Sequence, residues 1–152
     1  MRGSTAQRIG EEERPTAPAQ SVAPSAARLP QSFDNAESLD DFLSSPDPAL
    51  VDDLARVDGD ILILGVAGKM GPTMARLARN AAPNKRVIGV ARFSEPGQEE
   101  QLRAHGIETI QADLLDPAQV DRLPRVKNVI FMAGRKFGSS SNQALTWAMN
   151  VH

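Results

Sequence analysis

Ile61-Leu62-Ile63-Leu64-Gly65-Val66-Ala67-Gly68-Lys69-Met70-Gly71-Pro72 is the stretch whose reading decides the fold. Four branched apolar residues run into three glycines spaced three apart, and a proline follows. The pattern predicts a buried parallel strand, a tight turn and the first turn of a helix. Amides at a helix N-terminus lack intrahelical partners and carry partial positive charge, so a diphosphate can rest there when no side chain blocks it. The three glycines then serve different ends. Gly65 permits the turn, Gly68 admits a pyrophosphate close to the backbone, and Gly71 lets the helix pack on the strand. Pro72 suits a first helical position, where a missing N–H costs nothing. Gly65, Gly68, Lys69, Met70 and Gly71 are the candidate cofactor-binding residues of this turn. A phosphate-loop NTPase motif would need glycine at Ile63 and Ser or Thr at Met70, so that reading is rejected. Lys69 either meets a phosphate or is simply solvated.

Outward from this turn the chain alternates between short apolar runs and amphipathic segments. Strands are expected at Ile61–Leu64, Val87–Ala91, Ile107–Ile110 and Val129–Met132. Helices are expected from Pro72 to about Asn80 (Met74, Leu77 and Ala81 inward) and from about Pro96 to His105, where Gly106 closes the helix. A short helix starts at Asp116-Pro117 and buries Val120 and Leu123. A last one runs from about Asn142 to the end, with Leu145, Ala148, Met149 and His152 on one side. Such alternation means βαβ units, and right-handed crossovers set the strand order 3-2-1-4. The fold class is α/β: an incomplete, Rossmann-like, doubly wound parallel sheet with a helical N-terminal lead-in. A turn that follows a strand and opens a helix inside a βαβ unit is the context that turns a weak glycine motif into a dinucleotide-binding one.

The lead-in is expected to hold two helices. Ser38 with Asp41 has the form of a capping box ahead of Leu39, Phe42 and Leu43. Asp47 with Pro48 starts a second helix with the stripe Leu50, Val51, Leu54 and Val57. Both are expected to pack on the sheet or its edge. Residues 1–34 are rich in Pro, Ala and Ser and poor in large apolar groups, and read as a disordered tail. The expected division is therefore a tail over 1–34, a lead-in over 35–58 and a partial dinucleotide-binding domain over 59–152.

The end of the second strand bears on the cofactor. A carboxylate about 20 residues past the glycines would take the ribose hydroxyls of NAD. Here the chain reads Val90-Ala91-Arg92-Phe93-Ser94, without an acid. A small residue followed by arginine leaves room for a 2′-phosphate and supplies a guanidinium for it. NADP(H) is favoured over NAD(H), with Arg92 and Ser94 as phosphate ligands; the other reading of Arg92 is a solvated surface residue. Past strand three, Asp113 either contacts adenine or forms a turn, Leu114 follows it, and Asp116 is an N-cap. Ala133 and Gly134 close strand four, and small residues there let a cofactor lie over the sheet edge. Arg135 and Lys136 meet a phosphate or are solvated. His105 and His152 have neither metal-site nor triad company.

Bulk properties limit the function classes. The chain has 152 residues, a formal net charge of -2, no cysteine and no tyrosine. The charge gives no support to a nucleic-acid or anionic-membrane partner. Absence of cysteine removes disulfides and thiolate metal sites and points to a reducing, cytoplasmic setting. No apolar run reaches the ~20 residues that span a bilayer.

These residues together resemble the extended short-chain dehydrogenase/reductase superfamily, its NAD(P)-dependent epimerase/dehydratase group. The resemblance runs from about Gly59 to His152. It rests on Gly65-x-x-Gly68-x-x-Gly71, on Asp113-Leu114, on Ala133-Gly134 and on Asn150-Val151 before an expected fifth strand. It implies a nicotinamide-binding fold and, in a full member, hydride chemistry on a nucleotide sugar or similar carbonyl or alcohol. The family's proton-transfer Tyr-x-x-x-Lys cannot be carried over, because no tyrosine exists here, and Ser139, Ser140 and Ser141 are no substitute. The resemblance therefore implies a cofactor-holding part of an oxidoreductase, with the chain alone inactive and no catalytic residue assigned. The alternative is a non-catalytic NADP(H)-binding sensor. Strand four is expected to be an exposed apolar edge, an aggregation hazard, and the partners expected besides the cofactor are a homo-oligomer or a chain completing the sheet.

Overall fold

A computed structural model describes residues 29–134 and 143–151. The elements run α1 (Ala36–Leu43), α2 (Pro48–Arg56), β1 (Ile61–Leu64), α3 (Gly71–Ala81), β2 (Val87–Ala91), α4 (Gln98–Ala104), β3 (Glu108–Gln111), α5 (Pro117–Val120), β4 (Asn128–Phe131) and α6 (Gln143–Val151). Most of the expected tail, Arg135, Lys136, Ser139–Ser141 and His152 lie outside the described residues. All pairings are parallel and the sheet order is β3-β2-β1-β4, as the alternation requires.

Register explains how one sheet makes two cores. Ile61 and Ile63 of β1 stand beside Val87 and Gly89 of β2, while Leu62 and Leu64 stand beside Ile88 and Val90. The first set faces Ala75 and Ala78 of α3 and Leu102 of α4. The second set faces Leu114, Leu123 and Val126, in and after the β3–α5 connection. Alternate side chains are thus buried on both faces, which is why β2 is buried at every position. The α3 line against the sheet is Gly71, Ala75, Ala78 and Ala81, all buried. The expected Met74 and Leu77 are only half-buried, because small residues let the helix axis approach more closely than Met and Leu would. Val120 is likewise exposed rather than buried, while Leu123 is packed.

Helix ends follow local chemistry. Asn35, not Ser38, caps α1: the Ser38 amide donates to Asn35 Oδ1 (2.8 Å) and the Asn35 amide donates to Ser38 Oγ (3.3 Å). Ser38 is the third helical residue of that capping box. Phe33, placed in the tail by composition, sets its ring 5.3 Å from that of Phe42. Asp47 caps α2 through the Leu50 amide (2.8 Å), with Pro48 behind it. At the end of α4, Gly106 takes φ +74° and donates to Arg103 O, while Ile107 donates to Leu102 O. This is a Schellman closure, and its apolar pair, Leu102 and Ile107, is buried.

The lead-in packs over α3 rather than on the sheet or its edge. The Asn80 amide donates to Ser44 O (2.9 Å), Arg76 pairs with Asp41, and the Lys85 ammonium donates to Val57 O. Leu54 of α2 reaches the core. At the N-terminal ends of the strands, the Asn128 amide donates to the carbonyls of Asp58, Gly59 and Asp60. These bonds explain why β4 starts at Asn128 and not at Val129. Val129 and Phe131 are 53% and 59% exposed on β4, which pairs only with β1 among the described residues.

Arg86 and Glu108 tie the starts of β2 and β3 in a two-pronged pair, Nε to Oε1 at 2.9 Å and Nη2 to Oε2 at 2.7 Å. Hydrogen bonding to Arg86 holds the Glu108 carboxyl below its usual range. The folded state therefore prefers the ionised group, and this contribution is present above the unfolded pKa and lost as pH falls through the folded one. Melting temperature is expected to fall as pH drops below about 4.5. Arg86→Met should flatten part of that acid limb in thermal melts taken from pH 7 down to pH 3; an unchanged limb would remove the pair from the account. A Cβ on Gly71 would lie 2.0 Å from Val66 O. Gly71→Ala is accordingly expected to cost about 3 kcal/mol or more in urea unfolding.

Candidate functional site

The C-terminal ends of all four strands open into one cleft, as expected of a parallel sheet at the point where strand order reverses. β1 contributes the glycine turn. Gly65 has φ +86°, a left-handed conformation that favours glycine, and a Cβ there would stand 2.5 Å from Ala133 N. The Gly65 and Val66 amides both donate to Val90 O, at 2.8 and 3.1 Å, which fastens the turn to β2. Val66, fully buried, turns inward between α3 and β2: its main chain faces Gly71, and its methyl groups face Gly89. Gly71 thus packs on Val66 in the turn, two residues past the strand expected to receive it.

Gly68 is exposed, and a Cβ there would meet only Gly65 O at 3.4 Å. The space that a ligand needs over the turn is therefore open. The α3 N-cap, Met70, makes no side-chain cap hydrogen bond, so its own side chain does not serve that end of the helix as a capping acceptor. The helix begins at Gly71, so Pro72 stands at the second helical position rather than the first.

The cleft holds about 250 Å³. Of the residues singled out from sequence, Gly65, Gly68, Arg92, Ser94, Asp113, Leu114, Ala133 and Gly134 line it. Lys69, Met70 and Gly71 do not; Lys69 and Met70 are exposed on the outside of the turn, and Gly71 is buried under Val66. Arg92 is exposed at the end of β2, and its guanidinium makes no hydrogen bond or ion pair among the described residues, while its carbonyl accepts from the Gln111 amide (3.0 Å). Asp113 forms the turn: its Oδ1 accepts from the Leu115 amide (3.0 Å) and its own amide donates to Gln119 Oε1 (2.9 Å). Asp116 caps α5, accepting from the Ala118 amide (2.9 Å) and the Gln119 side chain (2.7 Å). These hydrogen bonds, that of Gln119 foremost, hold its carboxyl below the usual range. Gly134 lies near α6, where Asn150 Oδ1 is 3.0 Å from the position of an added Cβ.

Several lining residues carry no motif. Ala67, Ala91, Ala112 and Met132 are strand-end or turn residues whose contribution is small size or shape. Phe93 and Glu95 of the β2–α4 connection and Gln98, the first residue of α4, line it as well. Phe93 has φ +48°, rare for an aromatic residue, and its ring packs on the α3-side core. The absence of an acid over residues 91–94 therefore does not extend to the cleft, since Glu95 lines it as well. Spacing from the glycines could not reveal this, because a left-handed residue resets the chain direction between Ala91 and Glu95.

Among the described residues no group of His, Asp or Glu is placed to hold a metal ion, and no helix is long and apolar enough to cross a membrane. His105 is an exposed helix C-cap. Comparison with curated proteins and with solved structures yields no match. A family model does match: the NAD dependent epimerase/dehydratase family, over residues 61–152, from the first residue of β1 onward. That span contains the glycine turn, all four strands and every residue of the cleft, and so this chain belongs to the NAD-dependent epimerase/dehydratase family, in accord with an extended short-chain dehydrogenase/reductase fold.

Proposed function

We propose that this chain supplies the cofactor-holding part of an epimerase/dehydratase-like oxidoreductase acting on a nucleotide sugar or a similar carbonyl or alcohol, and that it holds NADP(H). The observation that carries the reading is the open approach at Gly68 beside an uncommitted Arg92 in one cleft. The diphosphate would lie over Gly65 and Gly68, at the uncapped start of α3. Arg92 and Ser94 would take the 2′-phosphate, the guanidinium through charge-assisted hydrogen bonds. Asp113 keeps one oxygen outside its turn, and with Leu114 it would border the adenine. Ala133 and Gly134 would let the chain of the cofactor pass over β4. A cleft of about 250 Å³ is below the ~300–1,000 Å³ of whole-ligand sites and accords with the adenosine-diphosphate end. When bound, a nicotinamide cofactor supplies hydride transfer. The sequence has no tyrosine to serve as the family's proton-transfer group, so this chain is assigned the holding of the cofactor and no catalytic residue.

Two substitutions test it by calorimetry with NADPH and NADH. Gly68→Ala adds a methyl group where only ordinary contact exists, so stability should change by less than about 0.5 kcal/mol while dinucleotide affinity falls at least about tenfold. Arg92→Ala should weaken NADPH by about tenfold or more and leave NADH nearly unchanged. Full NADPH affinity in Arg92→Ala would refute the 2′-phosphate role, and unaltered binding in Gly68→Ala would refute the diphosphate cradle.

A further inference from the structure

We infer that the groove bounded by α1, α3 and α4 is a second binding site, for a small zwitterion that carries both an ammonium and a carboxylate, as an amino acid does. A cavity of about 390 Å³ lies there, larger than the strand-end cleft and of a size with small-ligand sites. Each helix supplies a pair of polar residues at helical spacing, so that each pair shares one face. The pairs are Glu37 and Asp40 on α1, Thr73 and Arg76 on α3, and Gln101 with the C-cap His105 on α4. None of the six lines the strand-end cleft, and α1 stands outside the residues that the family model matches. Ala67 and Gln98 line both spaces and mark the boundary between them, where the Gln98 side-chain amide donates to Ala67 O (3.4 Å).

The polar lining is uncommitted. Among the described residues, the side chains of Glu37, Asp40, Thr73, Gln101 and His105 enter no hydrogen bond or ion pair. Arg76 is only partly committed. Its side chain is 16% exposed, its Nη2 pairs with Asp41 of α1, and its Nε is buried without an acceptor. A guanidinium keeps its charge and can only donate, so this N–H lacks an oxygen that the protein does not supply. The acids at Glu37 and Asp40 line the same cavity, yet neither is paired with Arg76. One space thus combines two unpaired carboxylates with an incompletely paired guanidinium. A bare cation would answer the acids alone, and a bare anion would answer Arg76 alone. A zwitterion answers both: its ammonium has three donors for Glu37 and Asp40, and its carboxylate matches the fork of Arg76. Thr73, Gln101 and His105 add further hydrogen-bonding groups.

The test is an NMR titration of the full chain with glycine, γ-aminobutyrate and ε-aminohexanoate, a series that varies the spacing between the charges. Butylamine and butyrate are the single-charge controls. The readouts are the Arg76 Nε–H resonance and the backbone amides of Glu37, Asp40, Thr73 and Gln101. At least one of the amino acids should saturate these shifts, at least about tenfold more tightly than either control, since a hydrogen bond to a charged group is worth about that factor. Glu37 and Asp40 are exposed, so the double variant Glu37→Gln/Asp40→Asn should melt like wild type. It should weaken the same ligand by about tenfold or more. Butylamine binding as tightly as every amino acid of the series would overturn the zwitterion. No saturable shift with any of them, shifts confined to Gly65 and Gly68 of the cleft, or wild-type affinity in the double variant would overturn the site. None of these outcomes involves a dinucleotide, so the site is tested independently of the cofactor reading.

Discussion

Val66 is the side chain on which the architecture turns. It leaves the end of β1 and is buried between two glycines, Gly71 at the start of α3 and Gly89 in the middle of β2. Side chains at these positions would have no room: a Cβ on Gly71 would stand 2.0 Å from the Val66 carbonyl oxygen, and one on Gly89 would stand 2.8 Å from a Val66 methyl. Close packing of this kind fixes distance, because interiors have few voids with which to absorb a shift. It brings the first turn of α3 hard against the β1 turn, and the rest of the helix then follows along Ala75 and Ala78.

The same contact shapes the cleft. With α3 held so close, its uncapped start and the exposed Gly68 stand beside the strand ends. Gly65 is bounded on its other side by Ala133, so the β1 turn is fixed between α3 and the end of β4. The opposite end of the sheet is built differently. There Asp60, Arg86, Glu108 and Asn128 tie the strand starts together with charge and hydrogen bonds. One end is thus sealed by polar ties, and the other is kept open by glycine and alanine.

Local rules read well wherever a residue's partner lies within a few positions. The Asp47 and Asp116 caps, the Gly106 closure, the β1 and β2 spans and the strand order follow from spacing and residue type. Local rules fail where two of them compete. Ser38 has cap chemistry, but Asn35 caps the helix and Ser38 answers it from the third position. Met74 and Leu77 are the larger apolar residues of α3, but close approach to the sheet selects the alanines instead. Within the cleft, Gly65, Gly68, Arg92, Ser94, Asp113 and the small residues after β4 are legible from motif spacing. Glu95 and Gln98 are not, since their place depends on the left-handed turn at Phe93.

What the sequence determined by itself is the periodicity: apolar runs of strand length, glycines at the first turn, caps before the helices, and hence a parallel α/β sheet with a ligand cleft at one end. Tertiary structure alone decided which residues share that cleft and which do not. It placed Glu95 in the same cleft as Arg92, left Lys69 and Met70 outside, buried Gly71 beneath Val66, and set the lead-in helices on α3. The physical reason is range. Strand and helix periods act over a few residues and are written in order along the chain, whereas a cleft is made by loop ends that meet only after the whole sheet has packed.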